Sequence, residues 1–428
     1  MDQYRIQGRN RIEGQVQVGG AKNAALPLLA AVCLNKGVSE ITNCPRIADI
    51  FLTIDILKHI GCRVEFLGNT LWVDATGINE INIPEKWVGK MRSSLLFMGA
   101  MLGRAGQVNI AHPGGCDIGE RSIGYHIDGL RAMGATIETE SGILCCTGPL
   151  KGAEIFLQTA SVGATQNLML AAILATGQTT IHNAAREPEI VDLAYFLTKM
   201  GAKIRGAGTS RIAIDGVTHL TSASHKVMPD RIVAGTYLLA AAMTGGEINI
   251  TDVYSRDMTA ITAKLTEMGC KINHGYSNIN LKGPERLKAL PYLETAEHPG
   301  FPTDMQSQFV AALSIANGRS VVKERIFDNR HAHAVGLRQM GADIDSNQLL
   351  VCADPKKEIT VFDIQGRPKL KGAVVEAKDL RCGAALILAG LAAEGETVVK
   401  NAKYVQRGYE NVEDALSGVG ADIRLEDD

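Results

Sequence analysis

Hydrophobic and polar residues follow the same order six times along the chain. An apolar helical segment ends at a glycine, and a strand-like run of alternating apolar and polar residues follows. The glycines of this first motif are Gly61, Gly134, Gly201, Gly269, Gly341 and Gly420. Glycine suits the position just past a helix because the backbone there adopts a left-handed conformation. The pattern therefore predicts six helix–strand junctions of one type.

A second motif interleaves with the first and consists of an alanine-rich helix, a glycine turn and a strand. Its glycines are Gly37, Gly106, Gly177, Gly246, Gly318 and Gly395. The combined repeat of roughly 70 residues is longer than the common solenoid repeats and favours an α/β fold. Alanine-rich helices pack closely, so three repeats can bury their helices inside a ring of sheets. Six repeats then make two domains of three, joined near residues 225–231.

Composition narrows the class of protein. The chain has 428 residues, 46% of them hydrophobic, and a net charge of −2, which is typical of a soluble globular protein and gives no support to a nucleic-acid partner. Nine cysteines occur without a CxxC pair, so we expect reduced thiols and a cytoplasmic location. The longest apolar runs, such as residues 168–175, are far shorter than a membrane helix of about 20 residues, so no membrane partner is expected.

The segment HPGGCDIGERSI (112–123) places Cys116 among glycines and charged residues. A cysteine that serves only to fill space prefers an apolar interior, so this thiol is predicted to meet a reactant. Arg121 would lower its pKa, whereas Asp117 and Glu120 would raise it. The alternative interpretation is a surface turn with an incidental thiol.

Ten motifs along the chain carry a resemblance to a known family. They are GGAKNAALP (19–27), KMRSS (90–94), PGGCDIGER (113–121), SVGAT (161–165), AAREPEIVD (184–192), PDRI (229–232), FPTDMQSQF (301–309), DNRHAHA (328–334), KDLRCGAAL (378–386) and RGYENVED (407–414). Together they resemble the enolpyruvyl transferases over the whole chain, and the cysteine loop favours the sugar-nucleotide branch over the shikimate branch.

The resemblance implies a two-domain, inside-out α/β barrel fold of six βαβαββ-like repeats, with helices buried inside sheets. Residues 22–229 would form the domain that carries the Cys116 lid. Residues 1–21 plus 230–428 would form the second domain, and the active site would lie in the cleft between the two. Repeat counting alone does not predict this exchange of the N-terminal segment.

The implied reaction moves the enolpyruvyl group of phosphoenolpyruvate to the 3′-hydroxyl of UDP-N-acetylglucosamine, with loss of phosphate through a tetrahedral ketal. In the family it commits the sugar nucleotide to peptidoglycan synthesis, and hence to cell-wall growth and division. It needs a proton donor near the methylene carbon, a base near the sugar hydroxyl, and cations around the phosphate and carboxylate, but no metal or redox cofactor. The expected partners are the two small-molecule substrates, and the oligomeric state stays open.

The resemblance also assigns roles around the donor. Cys116 would protonate or covalently hold the enolpyruvyl group and would be the target of fosfomycin. Lys22, Arg121 and Arg407 would hold the phosphate and carboxylate of phosphoenolpyruvate. A helix-start lysine in solvent is the alternative for Lys22, and each arginine alone is more often a surface charge.

Further residues are assigned to the sugar nucleotide and the closed state. Asp304 would act as general base for the 3′-hydroxyl or orient it, with a helix N-cap as the alternative. Asn23 would bind the amino sugar, and Arg92 would stabilise the closed lid. The remaining assignments are Ser161, Val162 and Gly163 on the diphosphate, Ile326 and Asp328 on the nucleotide, and a charged cluster of Arg330, Asp379 and Arg381, for which a structural salt bridge is the alternative.

Three positions depart from many relatives. Gly124 stands where an Asp would contact the uracil, Leu96 where some carry Trp, and Thr159 where some carry Lys. These changes put the nucleotide contacts in doubt and leave a low-activity paralogue open. Three rival functions stay open as well: a shikimate-type transferase, a repeat-built binding scaffold without catalysis, and an enzyme that modifies RNA ends.

Overall fold

A computed structural model of the chain describes residues 2–112, 123–351 and 354–427. The described residues form two compact units. Unit I comprises residues 20–112 and 123–228, and unit II comprises residues 2–19 together with the described residues from 229 to 427. Each unit has its own hydrophobic core.

Twenty-four strands are present in the described residues. In chain order they are β1 (Gln3–Gln7), β2 (Glu13–Gln17), β3 (Val38–Thr42), β4 (Arg63–Leu67), β5 (Thr70–Asp74), β6 (Asn82–Ile83), β7 (Gln107–Ala111), β8 (Thr136–Glu140), β9 (Ile143–Thr147), β10 (Glu154–Phe156), β11 (Gln178–His182), β12 (Lys203–Arg205), β13 (Arg211–Asp215), β14 (Ser224–Lys226), β15 (Glu247–Thr251), β16 (Lys271–His274), β17 (Asn278–Lys282), β18 (Tyr292–Glu294), β19 (Arg319–Glu324), β20 (Asp343–Val351), β21 (Asp354–Gln365), β22 (Val374–Glu376), β23 (Glu396–Lys400) and β24 (Asp422–Glu426).

These strands form six four-stranded sheets, three in each unit. Unit I contains the sheets β14-β3-β5-β4, β6-β7-β9-β8 and β10-β11-β13-β12. Unit II contains β2-β15-β17-β16, β18-β19-β21-β20 and β22-β23-β1-β24. Every sheet has one parallel pair followed by two antiparallel pairs. The prediction of six equivalent α/β repeats is therefore confirmed.

Two N-terminal strands complete sheets of unit II. β1 lies between β23 and β24, with Ile6 opposite Thr397 and Ile423, and β2 pairs in parallel with β15. Tyr4 and Ile6 of β1 are fully buried in the core of that unit. The start of the chain is thus built into the same core as its last strands.

The α-helices are α1 (Lys22–Ala31), α2 (Ala48–His59), α3 (Glu85–Val88), α4 (Leu96–Ala105), α5 (Gly124–Ala132), α6 (Val162–Ala172), α7 (Pro188–Lys199), α8 (Arg231–Thr244), α9 (Thr259–Glu267), α10 (Gln306–Leu313), α11 (Ala332–Gln339), α12 (Leu380–Ala392) and α13 (Val412–Ser417). Short 3-10 helices span Val32–Leu34, Arg92–Leu95, Ser255–Met258, Thr303–Met305 and Ala402–Arg407. None of the described helices has the length and hydropathy needed to span a bilayer.

The alanine-rich helices are buried, as the second motif predicts. In unit I, α4 packs against α1 and α6, and in unit II, α8, α10 and α12 pack against one another. Small residues let these helices approach closely. A Cβ atom at Gly99 in α4 would lie 2.1 Å from the backbone oxygen of Asn167 in α6, so only glycine fits there.

The glycines of the first motif all have the conformation that the sequence predicts. Gly61, Gly134, Gly201, Gly269, Gly341 and Gly420 have φ between 89° and 107°. The second motif is less regular: Gly245, rather than Gly246, takes the left-handed conformation after α8, with φ of 66°. Gly246 is instead required because a Cβ atom there would lie 2.1 Å from the backbone oxygen of Ile12.

Candidate active site

Lys22 is the first residue of α1, and its ammonium group is paired in the fold. The Lys22 Nζ atom lies 2.6 Å from Oδ2 of Asp49, a buried residue in the first turn of α2. The residue before the helix, Ala21, offers no side-chain cap. The alternative that Lys22 is a helix-start lysine in solvent therefore does not hold. The neighbouring Asn23 is exposed at the same helix terminus.

A second group of predicted residues surrounds the start of α6. Ser161 is the N-cap, and its Oγ accepts a hydrogen bond from the Ala164 amide at 3.3 Å. Val162 and Gly163 follow as the first helical residues, whose amides have no acceptor within the helix. First-turn amides together with the positive end of the helix dipole favour an anion.

His126 lies against the same turn, although the sequence suggests only a structural role for it. A Cβ atom at Gly163 would lie 3.5 Å from both Cε1 and Nε2 of His126. Its Nδ1 accepts a 3.1 Å hydrogen bond from the Asn167 amide, which leaves the hydrogen on Nε2. Burial, with a contribution from the charge of Arg92, lowers the pKa of His126 to about 3. A neutral N–H donor therefore faces the turn that is predicted to bind the diphosphate. This placement depends on the packing of α5 against α6, and no sequence motif marks it.

In unit II, Asp304 is held by two arginines. Its Oδ1 accepts a 3.0 Å hydrogen bond from Nη1 of Arg330, and its Oδ2 accepts a 2.7 Å hydrogen bond from Nη2 of Arg381. The Asp304 side chain is 23% exposed, whereas those of Arg330 and Arg381 are 5% and 7% exposed. The carboxylate is therefore accessible while the cations that hold it are buried.

The electrostatics of this group keep Asp304 ionised. Burial alone would raise the pKa of the Asp304 carboxyl, but Arg381 and Arg330 outweigh it and hold the pKa well below its usual range. The same contact raises the pKa of Arg381. Asp304 also lies within a 3-10 helix and makes these ion pairs rather than a cap. The N-cap alternative does not describe the contacts of its side chain.

Asp379 serves a different purpose from the neighbouring charges. Its Oδ1 accepts hydrogen bonds from the amides of Arg381 at 2.8 Å and Cys382 at 3.0 Å, so it caps α12. The cap fixes the backbone from which Arg381 reaches Asp304. Of the predicted charged cluster, Arg330 and Arg381 both bind Asp304, whereas Asp379 caps the helix that carries Arg381.

The remaining predicted residues of unit II lie outside the α-helices and strands. Ile326 and Asp328 follow β19, and the Asp328 carbonyl accepts hydrogen bonds from Gln348 Nε2 at 3.3 Å and Thr360 Oγ1 at 3.2 Å. Arg407 is the last, half-buried residue of a 3-10 helix. Cys116 and Arg121 lie outside the described residues.

Comparison with known proteins gives the family. The sequence model of the family described as EPSP synthase (3-phosphoshikimate 1-carboxyvinyltransferase) matches residues 6–416. UDP-N-acetylglucosamine 1-carboxyvinyltransferase 2 of Caldanaerobacter subterraneus subsp. tengcongensis is 49% identical over 99% of both chains. UDP-N-acetylglucosamine 1-carboxyvinyltransferase 1 of Symbiobacterium thermophilum is 48% identical over 99% of this chain and 95% of the relative.

The chain belongs to the enolpyruvyl transferase family. Solved structures of this family share the fold. The enolpyruvyl transferase NikO from Streptomyces tendae matches with a TM-score of 0.86 and 23% identity over 99% of this chain and 98% of that chain. EPSP synthase from Acinetobacter baumannii matches with a TM-score of 0.74 and 18% identity over 100% of both chains.

The three positions that depart from many enolpyruvyl transferases have defined places. Gly124 begins α5, and Leu96 is buried at the start of α4. The Thr159 hydroxyl lies 3.3 Å from that of Tyr125, the second residue of α5. Gly124 and Tyr125 also line a cavity of about 410 Å³ with Asp128, Phe156 and Gln158. The first turn of α5 and the segment around Thr159 are thus in contact in unit I.

Proposed function

We propose that this enolpyruvyl transferase moves the enolpyruvyl group of phosphoenolpyruvate to the 3′-hydroxyl of UDP-N-acetylglucosamine and releases inorganic phosphate. Relatives with that name are 44–49% identical over 99% of this chain, and this observation carries the proposal. The reaction would take place in the cytoplasm as an early step of peptidoglycan synthesis. The free thiols among the described cysteines are compatible with a reducing compartment.

The chemistry is an addition followed by an elimination. A proton adds to the methylene carbon of phosphoenolpyruvate while the sugar 3′-oxygen bonds to C2 and its hydroxyl proton passes to Asp304 as the new bond forms, which gives a tetrahedral ketal. The new methyl group then loses a proton and the bond between C2 and the phosphate oxygen breaks, which releases phosphate and restores the double bond. In this proposal Cys116 is the proton donor for the first step.

Asp304 is the residue beside the attacking hydroxyl. A carboxylate whose pKa is held well below its usual range is an effective hydrogen-bond acceptor but a weak Brønsted base. Orientation of the 3′-hydroxyl is therefore the role that its surroundings favour over full proton abstraction in the ground state. Arg330 and Arg381 fix both carboxylate oxygens and so restrict the direction from which a hydroxyl can approach.

Cations and amides account for the anionic groups of the two substrates. Lys22, Arg121 and Arg407 would bind the phosphate and carboxylate of phosphoenolpyruvate. The Val162 and Gly163 amides would bind the diphosphate, with Ser161 as the N-cap of the same turn and His126 Nε2 as a further donor. The Ser161 amide itself donates a 2.7 Å hydrogen bond to the Thr159 carbonyl. Asn23 would bind the amino sugar, and Ile326 and Asp328 the nucleotide.

The test is inorganic phosphate release from phosphoenolpyruvate with UDP-N-acetylglucosamine, with shikimate 3-phosphate, or with no acceptor, each before and after fosfomycin. Release that requires the sugar nucleotide and stops after fosfomycin supports the proposal. Release that requires shikimate 3-phosphate instead would assign the shikimate-type reaction. Absence of acceptor-dependent release in all arms would overturn the assignment.

A further inference from the structure

Glu324, the last residue of β19, is a fully buried carboxylate outside the residues assigned so far. Its side chain is 0% exposed. Oε1 accepts hydrogen bonds from Thr295 Oγ1 at 2.8 Å and from the amides of Ile326 at 2.7 Å and Phe327 at 3.2 Å. Oε2 accepts one from Thr303 Oγ1 at 2.8 Å. The Glu324 carboxyl group is therefore fully enclosed in unit II and fixed by four hydrogen bonds.

The direction of these hydrogen bonds follows from the partners of the two threonines. Thr303 Oγ1 accepts a hydrogen bond from Arg330 Nη1 at 2.9 Å, and Thr295 Oγ1 accepts one from the Arg325 amide at 2.9 Å. Guanidinium and amide N–H groups can only donate, so both hydroxyl hydrogens are directed to Glu324. Burial raises the pKa of the Glu324 carboxyl, but a group that meets only donors is best satisfied as the carboxylate.

The two oxygens of Glu324 lead to two parts of the acceptor site. Oε1 fixes the amides of Ile326 and Phe327, in the segment assigned to the nucleotide. Oε2 fixes Thr303, which is adjacent to Asp304 in the chain and is bound to Arg330, the arginine on Asp304 Oδ1. One buried side chain therefore connects the nucleotide segment with the carboxylate beside the sugar hydroxyl.

We propose that Glu324 is a positioning residue that holds the Asp304–Arg330 pair and the Ile326–Asp328 segment in one geometry for the sugar nucleotide. This inference rests on the proposed function. Glu324 does not touch the reacting atoms and acts through Thr303 and through the two amides. Its effect should therefore appear in the kinetics of the sugar nucleotide and much less in the KM for phosphoenolpyruvate.

Replacement Glu324→Gln separates the two connections. If the amide oxygen takes the place of Oε1, the Ile326 and Phe327 amides keep their acceptor, but the NH2 group faces Thr303 Oγ1. Thr303 then has two donors on its oxygen and no acceptor for its own hydrogen. The opposite orientation places the NH2 group against two backbone N–H groups and is worse. We therefore expect disturbance mainly at Thr303, Arg330 and Asp304.

The experiment compares Glu324→Gln, Thr303→Val and Thr303→Ser with wild type for kcat, both KM values, UDP-N-acetylglucosamine affinity by calorimetry, and Tm. We expect kcat to fall roughly tenfold or more in Glu324→Gln and Thr303→Val, since small displacements of reacting groups are costly. The KM for phosphoenolpyruvate should change less than about twofold. Thr303→Ser keeps the hydroxyl and should restore kcat, and Glu324→Gln with Thr303→Val should be no worse than the more damaging single change.

Ser320→Ala is the matched control because Ser320 lies on the same strand and is fully buried. Its Oγ accepts a 3.1 Å hydrogen bond from the Leu290 amide, with no connection to Asp304. It should lower Tm and leave kcat within about twofold of wild type. Equal kcat in Glu324→Gln and Ser320→Ala would overturn the positioning role while wild-type activity keeps the proposed function intact. If Glu324→Gln does not fold, Thr303→Val with wild-type kcat gives the same refutation. An inactive wild type would instead overturn the proposed function.

Discussion

Replacement of Asp304 by asparagine removes the charge that two buried arginines share. Asparagine has the same shape but offers one oxygen and one NH2 group in place of two carboxylate oxygens. Either Arg330 or Arg381 then faces a donor where it now finds an acceptor. Both guanidinium groups also lose their counter-charge. We expect a loss of stability in unit II as well as a loss of activity.

The magnitude follows from the burial of the three side chains. Removing one partner of a buried ion pair costs about 3–5 kcal/mol in folding free energy. Asp304 is 23% exposed, and asparagine keeps one acceptor, so the expected loss at pH 7 lies at the low end, about 3 kcal/mol. The pKa of Asp304 is lower in the folded than in the unfolded chain. Its contribution to folding stability is therefore fully present above the unfolded pKa and is lost as the pH falls through the folded pKa. Each pH unit below about 3.9 should reduce the wild-type advantage by up to about 1.4 kcal/mol.

The assay is urea unfolding between pH 7 and pH 3, followed by far-UV circular dichroism. Tryptophan fluorescence alone does not suffice, since both tryptophans, Trp72 and Trp87, lie in unit I, whereas Asp304 lies in unit II. Asp363→Asn is the control, because its ion pair with Arg319 in the same unit is solvent-exposed and should contribute little to stability. A loss below about 1 kcal/mol for Asp304→Asn at pH 7, or a loss that does not shrink in acid, would refute the reasoning.

The main variants of three further expectations lie in unit I, and one control, Gly19→Ala, lies in unit II. Gly99→Ala should lower the free energy of unfolding by several kcal/mol, because its Cβ would lie 2.1 Å from the backbone oxygen of Asn167. A Cβ atom at Gly19 meets nothing within 4 Å, so Gly19→Ala should be tolerated, and thermal denaturation of the two variants makes the comparison. His126 should stay neutral down to about pH 4 in an NMR titration, and its contribution to stability, full above the unfolded pKa of about 6.5, should decrease as the pH falls toward 3; a midpoint near 6 would contradict its burial. Asp49→Asn removes the carboxylate that holds the Lys22 ammonium group in place, and it should raise the KM for phosphoenolpyruvate roughly tenfold with a smaller change in kcat. Asp215→Asn removes an exposed ion pair of the same unit and should leave both values unchanged.

Local signals predicted the repeated part of this fold well. The six glycines after helices report a backbone conformation that depends on few neighbours, and all six have it. The local pattern fails at Gly246. Gly245 takes the left-handed conformation after the helix, and Gly246 is needed for close contact with Ile12, more than 230 residues away in the chain.

Long-range contacts set the rest of the fold and the surroundings of the candidate site. The pairing of β1 with β23 and β24 joins opposite ends of the chain, which periodicity does not encode. Asp304 meets Arg330 and Arg381 across 26 and 77 residues, and the partners of Lys22 and Glu324 likewise come from separate elements. The family resemblance named Asp304, Arg330 and Arg381, but the buried residues that hold them, such as Glu324, are found only from the packing.

Isotope transfer tests the central claim most directly. The protein is incubated with UDP-N-acetylglucosamine and with phosphoenolpyruvate that carries ¹⁸O in the oxygen bridging C2 and phosphorus. The masses of both products are then measured by mass spectrometry. C–O cleavage during enolpyruvyl transfer predicts that the label leaves with phosphate and that the nucleotide gains an enolpyruvyl group on its sugar. Unlabelled phosphate together with labelled pyruvate and an unchanged nucleotide would show P–O hydrolysis and would contradict the account.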